Sequence, residues 1–184
     1  TIGVLIVAAA GNGSNGETAN AHPAYYPGVM SVAAAGGNYA IADFSLRNDR
    51  VEIAAPGVDI RAATTTRKGF SCEPKQGTSF ASPHVAGIAA KVWSHFPQCN
   101  NKQIRQALLE SAVLNNAETC DNEQGNGHIK AKQMYDLLVG YTSSGGCDAV
   151  PEYTGPGGCL GTGTTPTPAP VADPQPTPAP VADP

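Results

Sequence analysis

The order Gly77-Thr78-Ser79-Phe80-Ala81-Ser82-Pro83-His84, running straight into Val85-Ala86-Gly87-Ile88-Ala89-Ala90, constrains this chain more than any other stretch. Small residues surround Ser79, and a helical apolar pattern starts directly after it. That arrangement presents a serine hydroxyl at the mouth of a helix. Gly77 permits a tight backbone approach. The first helical turn carries unpaired N–H groups and the positive end of the helix dipole, so an anion forming beside Ser79 would meet a favourable field. Gly77, Ala81 and Ser82 leave room for a substrate, and Pro83 is expected early in the helix, where its missing N–H costs least.

The rest of the chain narrows the class of molecule. Its 184 residues suffice for one domain plus an appendage, and 41% are hydrophobic, so the chain is not disordered throughout. No run of about 18 apolar residues exists, which argues against a membrane span. The net charge of −4 and the absence of a basic patch give nucleic-acid binding no electrostatic support. Thr1 begins directly in a strand-like run with no signal segment before it, so a longer parent chain is expected. Five cysteines, at 72, 99, 120, 147 and 159, include no C-x-x-C pair. Zinc is therefore disfavoured, and disulfides of a secreted protein are expected with one thiol left over; buried reduced cysteines are the competing reading.

Thr1 to Ala10 is apolar without alternation, as in a central parallel strand covered on both faces. It ends in the turn-forming cluster Gly11-Asn12-Gly13-Ser14-Asn15-Gly16. Ligands gather at the carboxyl ends of strands in open α/β sheets, and Asn12 stands there. Taken alone, Asn12 reads as a turn asparagine. Asn12-Gly13-Ser14 is also a glycosylation sequon, disfavoured here because the strand end faces a cleft. Pro56-Gly57 signals a turn, and Arg61 to Gln76 reads as a polar, irregular surface loop leading to Ser79. Helices are expected from Ser79 to about Phe96, over Asn101–Glu110 with Ile104, Ala107, Leu108 and Ser111 on one face, and over Ala131 to Val139. Residues 142–165 form a Gly/Thr-rich, cysteine-containing connector in which Cys147 and Cys159 are expected to close a small loop. Residues 166–184 repeat P-T-P-A-P-V-A-D-P, a stiff polyproline-like spacer open to O-glycosylation on its threonines, after which a further module is expected.

The motif G-T-S-x-A-S-P-H-V-A-G resembles the nucleophile segment of the subtilisin-like serine proteases, and A-A-G-N at Ala9–Asn12 resembles the segment carrying their side-chain oxyanion donor. Tyr25-Tyr26-Pro27-Gly28-Val29, Asp43-Phe44-Ser45, Val51 to Pro56-Gly57 and Gly125-Asn126-Gly127 resemble further family segments, so the resemblance runs from Thr1 to about Leu138. It implies an α/β, three-layer fold with a mostly parallel sheet over residues 1–141, of which this chain holds the C-terminal portion. It implies serine endopeptidase chemistry through an acyl-enzyme on Ser79, with Asn12 and the Ser79 N–H as oxyanion donors. The resemblance places Ala9, Ala10, Gly11, Ala21 and Thr78 at the substrate, with small residues favouring large apolar side chains before the cleaved bond. It also implies a weak structural calcium at the Tyr26 and Val29 carbonyls and Glu52, with no cofactor needed for the chemistry. Phe80 stands where many relatives carry methionine.

The base and the orienting acid are not apparent. His84, five residues after Ser79 on the same helix, points away from it and reads as a packing histidine. His22, His95 and His128 lack the H-G-T-H-V setting of the family's base, and Asp43, Asp59 and Asp136 lack the D-[ST]-G setting of its acid. Both are expected before Thr1 in an N-terminal half of the domain, without which this chain alone is expected to be inactive. The competing reading is a secreted relative that has lost catalysis and serves as a binding or adhesion module.

Overall fold

The computed structural model describes residues 3–66, 69–116 and 119–160. Its centre is a parallel sheet of β1 (Ile6–Ala9), β2 (Val29–Ala35) and β3 (Val51–Pro56) in the order β1-β2-β3. β2 is the middle strand and every one of its residues is buried. Among the described residues β1 pairs with β2, and Val4 and Ile6 are exposed by 74% and 51%.

Helix α1 (Thr78–Trp93) lies against β1, β2 and β3. Its buried stripe Ala81, Val85, Ala89 and Val92 meets Met30, Val32, Ala34, Ile53 and Ala55. The small residues let helix and sheet approach closely, and each buried valine contributes about 1.5–3 kcal/mol. Helix α2 (Asn101–Glu110) begins in a capping box: the Asn100 side chain accepts from Lys102 N and Gln103 N, and the Gln103 side chain reaches back to Asn100 N. Such a cap is worth about 1 kcal/mol. The predicted face of Ile104, Ala107, Leu108 and Ser111 is buried throughout. Helix α3 (Ala131–Gly145) runs beyond the expected Val139 and completes the same core with Met134 and Leu138. The other sheet face buries Ala10, Ala33, Ala35, Val51 and Ala54, with Ile41 packed against them.

Two expectations fail here. Residues 61–76 are not irregular, for β4 (Ile60–Thr66) and β5 (Gly69–Lys75) form an antiparallel hairpin. Threonines with good strand propensity build it, but both faces meet solvent, so no apolar alternation announces it. Nor do Cys147 and Cys159 bond to each other. The disulfides are Cys99–Cys147 and Cys120–Cys159, and Cys72 is free and exposed on β5. Together they fasten residues 146–160 onto the core, where Val150 and Tyr153 are buried. The proline-rich repeat lies outside the described residues.

Candidate active site

Ser79 is the second residue of α1 and is exposed, while Thr78 before it is fully buried. Asn12 arrives from the turn after β1, held by Leu46 N–H donating to Gly11 O (3.0 Å) and Gly13 N–H donating to Phe44 O (2.8 Å). The two segments are then locked together. Thr78 N–H donates to Asn12 Oδ1 (2.9 Å), and the Thr78 hydroxyl donates to the same oxygen (3.0 Å) while accepting from Gly11 N–H (3.2 Å). With its oxygen held by two donors, the Asn12 amide has one orientation, and its NH₂ turns outward.

Gly77 fixes what that NH₂ faces. Its φ of 147° and ψ of 155° belong to a region nearly closed to other residues. A Cβ placed on Gly77 would stand 3.0 Å from Ser79 Oγ and 3.5 Å from Asn12 Nδ2. One small volume therefore borders both the hydroxyl and the amide donor. In the first turn of α1 the Thr78 N–H goes to Asn12 and the Phe80 N–H to Gly77 O, and no acceptor among the described residues takes the Ser79 N–H. The Asn12 amide thus lies near the Ser79 hydroxyl at a positive helix end, with the Ser79 N–H left over as a second donor, an arrangement suited to a developing oxyanion.

Pro83 sits in the second helical turn, later than expected, so the Ser79 carbonyl lacks the helical N–H it would otherwise receive. Thr78, expected at the substrate, is buried and bonds Asn12 Oδ1 through both its N–H and its hydroxyl. Ala10 is buried and Ala9 half-buried; the Cβ site of Gly11 is bounded by Leu46 Cδ1 at 2.6 Å and Ala21 Cβ at 2.8 Å. Ala21 and Gly11 are therefore neighbours. A cleft of about 530 Å³ is lined by Gly13 and Gln76, the chain neighbours of Asn12 and Gly77, together with Asp43, Phe44 and Val58 among others.

Each histidine is engaged elsewhere. His84 Nδ1 bonds the Phe80 carbonyl (2.7 Å), His22 stacks on Tyr26 (4.5 Å), and His95 and His128 pack edge-on against Tyr135 and Tyr39. Burial pulls the His128 imidazole below its ordinary pKa, helped by Lys130. Asp136 pairs with Lys132, Asp59 holds a positive φ of 55°, and Asp43 lines the cleft.

The calcium expectation meets a guanidinium. Arg105 is bonded to Glu52 through both carboxylate oxygens, and its Nη2 and Nη1 donate to Val29 O and Pro27 O (3.3 Å each). Tyr26 O accepts the Val29 N–H (2.9 Å). Burial pushes the Glu52 carboxyl up to about 7, against the pull of Arg105 and Arg50. One carboxylate already claimed by a buried cation, with a second guanidinium nearby, does not fit a calcium ion, which wants six or more oxygens. Sequence reading missed Arg105, and it missed the bonds from Thr78 to Asn12.

The sequence profile of the Subtilase family matches residues 1–127. The chain is 41% identical over 129 residues to a thermostable alkaline protease of Halalkalibacterium halodurans, covering 70% of this chain and 34% of that protein. Subtilisin E of Bacillus subtilis is 39% identical over 113 residues, covering 60% of this chain and 29% of its own length. Among solved structures, fervidolysin from Fervidobacterium pennivorans, described as a keratinolytic enzyme related to subtilisin, superposes with a TM-score of 0.64 at 32% identity, covering 73% of this chain and 22% of its own. The chain thus spans about a third or less of the length of these relatives.

Proposed function

Since this chain belongs to the subtilase family, we propose that it forms part of a serine endopeptidase in which Ser79 Oγ attacks the scissile carbonyl and becomes acylated. The carbonyl oxygen, turned oxyanion, takes hydrogen bonds from Asn12 Nδ2 and the Ser79 N–H, the amine leaves, and water releases the acid. The observation that carries this reading is the shared volume over Gly77, bordered by Ser79 Oγ at 3.0 Å and Asn12 Nδ2 at 3.5 Å. We place the base and its orienting acid outside this chain: no hydrogen bond joins a described histidine to Ser79, and His84, on the same helix, bonds the Phe80 carbonyl. The substrates are polypeptides, and the cleft lined by Gly13 and Gln76 holds part of their backbone. The two disulfides support a secreted protein. No helix among the described residues is long and apolar enough to cross a membrane.

A fluorophosphonate probe added to the full-length protein tests this reading. Wild type is expected to label and Ser79→Ala to stay unlabelled. An unlabelled wild type would leave the binding-module reading in its place.

A further inference from the structure

The loop that carries Ala24 to Val29 leads from the site side of the molecule into the central strand β2. Its carbonyls at Pro27 and Val29 and the Glu52 carboxylate all accept from one group, a gathering of oxygens around a cation. The cation present is the Arg105 guanidinium, supplied by α2 and only 6% exposed. Its flat fork matches the carboxylate through two nitrogens and still reaches both carbonyls. The Tyr153 ring covers the guanidinium at 4.3 Å. Tyr153 is in turn held by residues 146–160, whose ends are tied down by Cys99–Cys147 and Cys120–Cys159. Within that strap Gly157 N–H donates to Tyr153 OH (2.9 Å), and a Cβ on Gly157 would stand 3.4 Å from Glu52 Oε1. Arg50 adds a further positive charge, its Nη1 bonded to the Pro156 carbonyl.

We infer that Arg105, sealed in by the disulfide-tied strap, is a built-in cation that holds the Ala24–Val29 loop where a metal ion would otherwise serve. Three features support this beyond the ion pair itself. The guanidinium bonds two backbone carbonyls of the loop as well as the acid. The position is closed by an aromatic lid rather than open to water. A divalent ion would have to displace Arg105 and lie close to Arg50, at a high Coulomb cost in a buried setting. The inference concerns loop stability and stands whether or not Ser79 is catalytic.

The test is thermal unfolding and calorimetric titration of the full-length protein with calcium chloride, against an EDTA reference. The variants are Arg105→Lys, Arg105→Ala and the double variant Glu52→Gln/Arg105→Met. Wild type and Arg105→Lys are expected to bind no more calcium than the double variant. Arg105→Ala, which leaves a buried carboxylate beside two carbonyls, is expected to melt lower in EDTA and to bind one additional calcium. Its melting temperature should then recover by about 5 °C at a hundred times the dissociation constant. If Arg105→Ala does not survive in EDTA, its refolding yield decides. Recovery in calcium alone supports the inference, and equal failure in both buffers overturns it. A wild type that binds one calcium more than the double variant would also overturn it, as would a calcium response of Arg105→Ala equal to that of wild type.

Discussion

Replacing Gly77 by alanine separates the two tasks that this glycine performs. The first is conformational. At φ 147° and ψ 155° a side chain is strained by about 1–3 kcal/mol, which should appear as an equal loss of stability. The second is spatial. The added methyl would sit 3.0 Å from Ser79 Oγ, inside normal contact, 3.5 Å from Asn12 Nδ2 and 3.6 Å from Phe80 Cδ2. It would occupy the volume where an oxyanion must stand, and it would turn the hydroxyl aside. A displacement on the order of 1 Å at a reacting atom costs about a hundredfold in rate. Gly69→Ala provides the control, because Gly69 has a φ of 124° but nothing within 4 Å of its Cβ position. Melting curves and the time course of fluorophosphonate labelling on the full-length protein give the two readouts. Gly77→Ala should label at least about a hundred times more slowly, whereas Gly69→Ala should keep the wild-type labelling rate. If Gly77→Ala labelled at the wild-type rate, the volume between Ser79 and Asn12 would not be the reacting site.

Other consequences can be measured separately. Thr78→Val leaves the Gly11 N–H without its acceptor and Asn12 with one anchor instead of two; stability should fall by about 1–3 kcal/mol in denaturant unfolding, with slower labelling. Reducing Cys99–Cys147, which spans 48 residues, should cost about 4 kcal/mol on the chain-entropy account, read as a lower melting temperature of Cys99→Ser/Cys147→Ser. Because burial lowers the His128 pKa, the stability tied to its neutral form is complete above about 6.5 and lost as pH falls through the folded value. The pH dependence of unfolding between 7 and 5 should therefore be shallower on the acid side in His128→Gln; matching slopes would exclude this role. Phe80 offers no sulfur beside the nucleophile, so the full-length protein should retain activity in mild peroxide, which residual-activity assays check.

Local patterns carried much of the fold. The face of Ile104, Ala107, Leu108 and Ser111 on α2 follows from helical spacing and is buried as that spacing requires. The β4–β5 hairpin was not legible, because its strands face solvent on both sides, with Thr65 and Phe70 exposed on one face and Glu73 on the other. Disulfide partners were not legible either: Cys99 and Cys147 meet only because the strap after α3 returns to the start of α2, a tertiary fact without local trace. At the site, Ser79 and its helix were readable from one motif. The clamp on Asn12 was not, because Thr78 and Asn12 are 66 residues apart and their bonds exist only once β1 and α1 are packed. Arg105 was the hardest to anticipate, since an arginine beside a buried face normally reaches solvent, and its partner Glu52 lies 53 residues away.

A crystal structure of the phosphonylated full-length protein puts the central assignment at most direct risk. The phosphorus should be bonded to Ser79 Oγ, with its oxygen within about 3 Å of both Asn12 Nδ2 and the Ser79 N–H. A label carried by another residue, or a phosphoryl oxygen turned away from Asn12, would contradict the account.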